Sequence, residues 1–425
     1  MAIYLGLGSN LGDRGDNLRR AIELLTSNGL RISRISPVVE SPALLPDGAP
    51  AQWNRPYLNL AVQCDAPCTP EQMRIWIADI QTALGRTDAS HWAPRPMDID
   101  ILLWHRDTVS TETLTIPHPE LHKRAFVLTP LVALEARLTI PGAGDASVLE
   151  WSGELAHHIP VWMGIINLTP DSFSDGGRFV DWTQIEPHLD AMIDAGVNIL
   201  DLGAESTRPG ATPLSVEEEW SRLAPILERA LDKCGVDPLR PLLSVDTYHP
   251  EIAERALNLG VDIINDVSGL KSARMMELAS AGSADWIAMH QLGLPANPER
   301  RLPPDCDPCE EVERWLLEQL ETWDRAGLDL NRIIFDPGIG FGKDALQSVK
   351  LLRNVSRFRR HGVRVLVGHS RKSFMKSFST LEETDKDLVS VGASMNLCAQ
   401  GVDIIRVHNI PAHLAAYRGW SHLVP

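Results

Sequence analysis

The sequence predicts two domains: a mixed α+β unit, then an α/β domain built as a (β/α)8 TIM barrel. Three observations predict this. At roughly 100–200 residues per domain, a chain of 425 residues holds two or three. Strand and helix periodicities mix without strict alternation in the N-terminal third. From residue 161 onward apolar strands alternate with helical segments, the pattern of parallel βα units. Polar residues also stand at the carboxyl end of nearly every later strand, and a closed barrel gathers those ends on one face.

In order, residues 2–8 read as a strand, 16–28 as an amphipathic helix and 57–65 (YLNLAVQCD) as a strand. Residues 70–84 read as a second helix and 98–104 (DIDILLW) as a strand. This domain is expected over 1–150. Around 140–158 the periodicity degrades into PGAGDASV and a short polar stretch, so a linker is expected over 151–159. In the second domain, 160–425, strands are expected at 161–167, 199–204, 242–247, 262–267, 285–290, 332–336, 364–369 and 403–408. The helices between them include 183–195, 216–233, 250–259, 310–326 and 387–400. Eight such units in roughly 265 residues match a barrel of typical size, about 250 residues. A doubly wound open sheet is the alternative.

Composition excludes several function classes. Hydrophobic residues make up 44% and charged residues 23%, an ordinary globular balance. The formal net charge of −16 repels phosphate backbones, so no nucleic-acid partner is expected. Apolar windows are interrupted well before the ~20 residues needed to span a bilayer, so no membrane partner is expected. The start, MAIYLGLGSN, lacks a basic segment followed by a long apolar run, and six cysteines do not make a disulfide scaffold. A cytoplasmic location is the expectation. Cys64–Cys68 and Cys306–Cys309 each lack a matching second pair and read as ordinary thiols rather than zinc ligands.

The polar set of the barrel is Asn167, Glu205, Asp246, Asn265 with Asp266, His290, Asp336, Lys372, and Arg406 with His408. Helix capping accounts for any one of them, but the whole set describes a ligand. Asp246, Asn265 and Asp336 can pair with a flat, nitrogen-rich heterocycle, and Arg208, Arg406 and His408 can hold an anion such as diphosphate. Segments 168–180 and 205–214 read as active-site loops. GIGFGKD at 338–344 has the wrong spacing for a P-loop, and GLGSNLG at 6–12 misplaces its third glycine for a dinucleotide fingerprint.

The strings MGIINLTPDSFSDGG (163–177), GAESTRPGA (203–211), SVDT (244–247), INDVSGL (264–270), DPGIGFGK (336–343), SRKS (370–373) and RVHN (406–409) resemble dihydropteroate synthase, in that family's order. The resemblance covers about 160–425. It implies a barrel enzyme that joins 6-hydroxymethyl-7,8-dihydropterin diphosphate to p-aminobenzoate, releasing diphosphate. By the resemblance, Asp246, Asn265, Asp336 and Lys372 grip the pterin, and Arg406 stacks on its ring and faces the phosphates. Asn167 helps hold one Mg²⁺, and Arg208 and His408 bind diphosphate. Thr207, Pro209, Phe341 and Ser373 shape the p-aminobenzoate site, with Phe173 and Asp175 in the loop that closes over it.

In the first domain Asp98 and Asp100 stand two apart on an expected strand, hence on one face. Such a pair suits Mg²⁺ bound with substrate phosphates, and Arg86, Arg95, His118, Lys123 and Arg124 are near in sequence. An exposed strand edge that happens to be acidic is the alternative. LGSNLGDR (7–14), YLNLAV (57–62), LGR (84–86), WAPRPMDIDILLW (92–104) and IPHPELHKRAF (116–126) resemble 6-hydroxymethyl-7,8-dihydropterin pyrophosphokinase, over about 1–145. That resemblance implies a ferredoxin-like α+β sandwich moving the terminal diphosphate of ATP to the pterin hydroxymethyl group, giving AMP. It places two Mg²⁺ ions on Asp98 and Asp100, ATP phosphates on Arg86, Arg95, His118 and Arg124, and pterin on Tyr57, Asn59, Trp92 and Phe126. Leu44 and Leu45 fall in a loop flanking that pocket. The chain departs from the family at Gln81, where an acidic residue is frequent, and at Pro119, where an aromatic can occur.

The product of the first reaction is the substrate of the second, so each resemblance supports the other. The alternatives are a pterin-binding barrel of a corrinoid-linked methyltransferase, or an active barrel with a non-catalytic pterin-binding first domain. Barrels of this family often pair through late helices, so a homodimer through the barrel is one expectation; the added domain leaves the oligomeric state open.

Overall fold

The computed structural model describes residues 2–87, 92–169, 181–206, 211–294, 299–377 and 383–423, apart from the side chains of 376–377 and 383–385. The chain forms two compact units: Met1–Ile159 with Val236–Arg240 and Ser421–Pro425, and Pro160–Gly235 with Pro241–Trp420.

The first unit runs β1 (Ile3–Ser9), α1 (Arg14–Ser27), β2 (Arg31–Ile35), β3 (Val39–Ser41), β4 (Tyr57–Asp65), α2 (Pro70–Ala83), β5 (Asp98–Trp104), β6 (Val109–Ser110), β7 (Thr115–Ile116), α3 (Ala125–Leu134) and α4 (Val148–Gly153). Asp13 caps α1, and Thr69 with Pro70 opens α2, side-chain oxygens accepting first-turn N–H groups. The main sheet is antiparallel in the order β2-β4-β1-β5, with β3 added on β4. Its core strand order, with both crossover helices on one face, is ferredoxin-like. Leu5, Leu7, Leu60 and Val62 pack there against Leu18, Ile22 and Leu25 of α1 and Met73, Ile77 and Ile80 of α2. On the other face Tyr4, Ala61 and Leu102 meet Leu128, Leu131 and Val132 of α3 and Val148 and Leu149 of α4. Helix α4 runs into the stretch read as linker. Its capping box, Ser147 with Glu150, stands in the sequence as S-x-x-E.

The second unit alternates strand and helix: β8 (Val161–Asn167), α5 (Trp182–Ala195), β9 (Ile199–Gly203), α6 (Val216–Cys234), β10 (Leu242–Asp246), α7 (Pro250–Leu259), β11 (Ile263–Asp266), α8 (Ala273–Ala281) and β12 (Asp285–Met289). It continues with α9 (Pro308–Arg325), β13 (Ile333–Asp336), α10 (Ala345–Arg353), β14 (Arg364–Gly368), α11 (Glu383–Ala399), β15 (Ile404–Val407) and α12 (Ile410–Ser421). The strands pair in parallel and close as β10-β11-β12-β13-β14-β15-β8-β9. Val161, Met163, Ile199, Ile263, Ile287, Ile334, Leu366 and Ile404 cluster with Leu242, so every strand contributes branched or long apolar side chains to a filled interior. A packed interior leaves only the rim for chemistry. No helix among the described residues is long and apolar enough to cross a membrane.

Candidate active sites

In the first unit the site grows from the alternation of β1. Leu5 and Leu7 enter the helix-side core, and Gly6 and Gly8 open on the other face. Gly8 sits between Asn59 and Asp98, and Gly6 between Ala61 and Asp100. A Cβ on Gly8 would stand 3.1 Å from Asn59 Oδ1 and 3.4 Å from Tyr57 Cδ1. The two glycines therefore leave a floor at backbone level beneath a cavity of about 220 Å³. Tyr57, Asn59, Trp92, Phe126, Leu44 and Arg124 line it. Asn59 is held by donating to Ser41 Oγ at 3.0 Å.

A second cavity, of about 570 Å³, is lined by Arg74, Gln81, Thr111–Thr115 and Pro119. Arg86, Asp98, Asp100 and His118 line both cavities. The carboxylate pair thus stands in a shared wall. Arg86 reaches Asp98 Oδ1 at 2.7 Å and Arg95 reaches it at 3.3 Å, while His118 Nε2 is 4.0 Å from Asp100 Oδ2. Gln81 accepts from Arg86 and from the Ile99 N–H, so the departure from the family pattern keeps an oxygen acceptor but carries no charge. The Asp100 side chain keeps 40% of its surface exposed to solvent while protein crowds its carboxyl group. Burial, and then the charge of Asp98, push its pKa up to about 6. Burial also raises Tyr57 and lowers His118. Lys123, by contrast, is exposed and pairs with Glu120.

In the barrel, strand ends bring together residues far apart in sequence. Arg406 of β15 donates through Nε to Asp201 Oδ2 of β9 at 2.6 Å and through Nη2 to Asp246 Oδ2 of β10 at 2.8 Å. Asn265 of β11 donates to Asp201 at 3.2 Å, and Ser244 to its other oxygen at 2.6 Å. Gly368 lies beside both Arg406 and Asp336: a Cβ there would stand at ordinary contact distance, 3.8 Å from Arg406 Cδ and 4.0 Å from Asp336 Oδ2. Lys372 bonds to the Ile339 carbonyl, and its Nζ sits 4.8 Å from the Phe341 ring centroid. Burial drives the Asp246 carboxyl up to about 7 against the pull of Arg406, and raises Asp336 against Lys372. Burial likewise lowers Lys372 to about 8, partly offset by Asp336. Acidic groups from β9, β10 and β13 and basic groups from β15 and the segment after β14 therefore share one cup.

The remaining members of the polar ring divide. His408 bonds through Nδ1 to Ser370 Oγ at 3.0 Å, Asn167 ends β8 half-buried, and Ser373 is exposed. Asp266 accepts the Ser268 and Leu270 N–H groups and so caps a turn. His290 faces Lys343, whose Nζ lies 2.6 Å from its Nδ1 and within 3.1 Å of the His290, Pro337 and Gly338 carbonyls. That cage withholds Lys343 from any phosphate, which is the physical reason GIGFGKD is no P-loop. Phe173, Asp175, Thr207, Arg208 and Pro209 lie outside the described residues. Asp201 is a site residue that the sequence reading missed. The signal was a carboxylate inside an apolar strand, ILDLG, which folding tolerates only with a partner.

Comparisons with known proteins match both units of the chain. The model of the family described as pterin binding enzyme matches residues 163–408, and that of 7,8-dihydro-6-hydroxymethylpterin-pyrophosphokinase matches 4–136. The folate synthesis bifunctional protein of Chlamydia trachomatis is 35% identical, covering 97% of this chain and 96% of its own length. The mitochondrial folate synthesis bifunctional protein of Arabidopsis thaliana is 32% identical over 96% of this chain and 80% of its own. A dihydropteroate synthase of Xanthomonas albilineans, solved with 4-aminobenzoic acid, superposes with a TM-score of 0.56 at 35% identity, covering 63% of this chain and 94% of that one. One from Anaplasma phagocytophilum, solved with 6-hydroxymethylpterin-monophosphate, gives 0.56 at 34% identity over 62% of this chain and 99% of that one.

Proposed function

Because this chain belongs to the family of bifunctional folate-synthesis proteins, we propose that its two sites act in succession through the side chains described above. The protein is a pyrophosphokinase and a dihydropteroate synthase in one chain. It transfers diphosphate from ATP to 6-hydroxymethyl-7,8-dihydropterin, then condenses the pterin diphosphate with p-aminobenzoate.

In the first unit the pterin enters the smaller cavity, over Gly6 and Gly8 and between Tyr57, Asn59, Trp92 and Phe126. The nucleotide takes the larger one, beside Arg74 and Thr111–Thr115. The observation that carries this reading is the position of Asp98 and Asp100 in the wall common to both cavities. An all-oxygen pair whose second carboxyl is held back from ionising by burial and by its neighbour fits Mg²⁺. Asp98 and Asp100 would hold two such ions, which when bound supply neutralising charge for the phosphates of ATP. Arg86 and Arg95, which pair with Asp98, would exchange that partner for phosphate oxygens, and His118 and Arg124 would complete the anion site. Substrates seated in the two cavities would bring the pterin hydroxyl and the phosphate it attacks to the same wall.

In the barrel, Asp246, Asn265 and Asp336 would pair with the pterin ring, and Lys372 and Arg406 would flank it. Loss of diphosphate leaves positive charge on the pterin methylene and ring. The surrounding carboxylates oppose its cost, and the cationic groups receive the departing anion. Arg208 and His408 would join Arg406 there, and Asn167 would help hold one Mg²⁺. The neutral amine of p-aminobenzoate, seated against Thr207, Pro209, Phe341 and Ser373 beneath the loop carrying Phe173 and Asp175, then attacks the methylene and loses a proton. One assay tests the whole reading. ATP, Mg²⁺, hydroxymethyldihydropterin and p-aminobenzoate are supplied together, and AMP, diphosphate and dihydropteroate must all form. Arg208→Ala should slow diphosphate release far more than it weakens pterin binding; normal turnover would remove that residue from the mechanism.

A further inference from the structure

One cluster on the barrel rim, with Glu205 of the polar set among its members, lies outside the roles proposed for both reactions. Glu205 follows β9, His249 stands immediately before α7, and Glu219 projects from the first turns of α6. One ligating atom from each lies within 4.8 Å of the others. His249 Nε2 is 3.3 Å from Glu205 Oε2 and 3.7 Å from Glu219 Oε2. The Glu205 and Glu219 side chains are 6% and 1% exposed. Among the described residues, neither Glu219 oxygen, nor Glu205 Oε2, nor His249 Nε2 makes a hydrogen bond of satisfactory geometry. Two buried carboxylates and a part-buried imidazole are therefore aimed at one point at ion-pair rather than hydrogen-bond distances, which is costly unless something sits between them.

The spacing identifies what fits. A charge-assisted N–H···O bond spans about 2.7–2.9 Å, shorter than either gap. Ligands sharing a metal through bonds of about 2.0–2.2 Å at tetrahedral angles stand roughly 3.3–3.6 Å apart. The supporting contacts also have the form of a metal site. Tyr248 Oη donates to Glu205 Oε1 at 2.6 Å and the Leu214 N–H donates to the same oxygen at 3.3 Å, which leaves Oε2 turned into the cluster. We propose that Glu205, Glu219 and His249 bind one divalent transition-metal ion of the Zn²⁺ class, distinct from the Mg²⁺ used in catalysis. An imidazole nitrogen with two carboxylates suits Zn²⁺ or Co²⁺, whereas Mg²⁺ favours oxygen and retained water. Three protein ligands leave the fourth position to water. The bound ion ties the segment after β9 and the segment after β10 to α6, beside Asp246. Burial pushes the Glu219 carboxyl up to about 8, with the Thr247 hydroxyl as a partial offset, so protons compete for the same oxygens.

The test uses the full chain carrying Asp98→Asn and Asp100→Asn, which removes the first-unit cation site from the readout. The chain is treated with chelator and titrated with Co²⁺. One equivalent should give the intense visible absorption of a four-coordinate site, which Zn²⁺ should abolish on displacing the Co²⁺. Adding Glu219→Gln or His249→Ala should eliminate that absorption, and Tyr248→Phe should weaken binding by about 10–100-fold. Absence of the absorption, or its persistence in both ligand variants, overturns the proposal. Anomalous diffraction from wild-type crystals soaked in Zn²⁺ needs no variant to fold: a peak among the three side chains supports the site, and peaks only elsewhere refute it.

Discussion

Replacing Asp201 by Asn tests whether the buried ion pair beneath the barrel cup positions Arg406. Asp201 is fully buried and accepts from Arg406 Nε at 2.6 Å, Ser244 Oγ at 2.6 Å and Asn265 Nδ2 at 3.2 Å. A hydrogen bond to a charged group contributes about 1.5–3 kcal/mol and a neutral one about 1 kcal/mol. Asn keeps one carbonyl acceptor but presents N–H where the carboxylate had its second oxygen. One short contact therefore weakens and another becomes a mismatch, for a net loss of about 2–3 kcal/mol. Outright loss of a buried partner, about 3–5 kcal/mol, is the upper bound. It is not reached because Arg406 keeps Asp246 at 2.8 Å. If this energy orients Arg406 toward the substrate, kcat/KM for pterin diphosphate should fall about 30–150-fold. AMP formation by the first unit should stay unchanged, an internal control within the same polypeptide. The assay is steady-state dihydropteroate formation from supplied pterin diphosphate, with thermal unfolding measured in parallel. A variant within twofold of wild type, in a background where Arg406→Lys is severely impaired, would show that Asp201 does not position Arg406.

Three further outcomes are expected. Asp98→Asn with Asp100→Asn should remove about 4 kcal/mol or more of metal-linked stabilisation and lower AMP formation by about 10³-fold, leaving the synthase reaction intact; radiolabelled ATP turnover measures this. Lys372, lowered to about 8 by burial, is a cation below that pH and loses its proton above it. The synthase pH–rate profile should therefore fall on an alkaline limb near that value, and Lys372→Arg should move the limb upward, since guanidinium stays charged. Gly338 has φ +64°, and a Cβ there would lie 1.9 Å from the His290 carbonyl oxygen. Gly338→Ala should cost more than the roughly 1–2 kcal/mol of left-handed strain alone, read as a lower unfolding midpoint in urea.

Much of the fold is legible because its signals are local. DIDILLW and YLNLAVQCD carry strand patterning between breakers and form Asp98–Trp104 and Tyr57–Asp65. The barrel follows from strand ends punctuated by polar residues. Elements whose identity depends on tertiary cover were harder to read. Helix α3, AFVLTPLVAL, is apolar almost throughout because it packs against the sheet and α4, so no 3.6-residue stripe marks it. Strand β2, RISRI, is half-exposed at a sheet edge and reads as polar. Within the sites, residues bonded to ligand-facing groups were the ones missed. Asp201 makes sense only once Arg406, 205 positions later, lies against it. Gly6 and Gly8 gain meaning only when Asn59, Asp98 and Asp100 flank them. No periodicity encodes such pairings.

The enclosure of Lys343 fixes how the wall bearing Phe341 can vary. An amine held by three main-chain oxygens and an imidazole acts as a noncovalent rivet, and its anchor points belong to the backbone of the turn itself and to the end of the neighbouring strand. Side-chain changes at 341 leave every one of those anchors untouched. The aromatic face presented to Lys372 can thus be exchanged for another surface while its mounting stays put. On the proposed placement of p-aminobenzoate against Phe341, discrimination among aryl amines is tunable one residue at a time, without remoulding the chain that carries it.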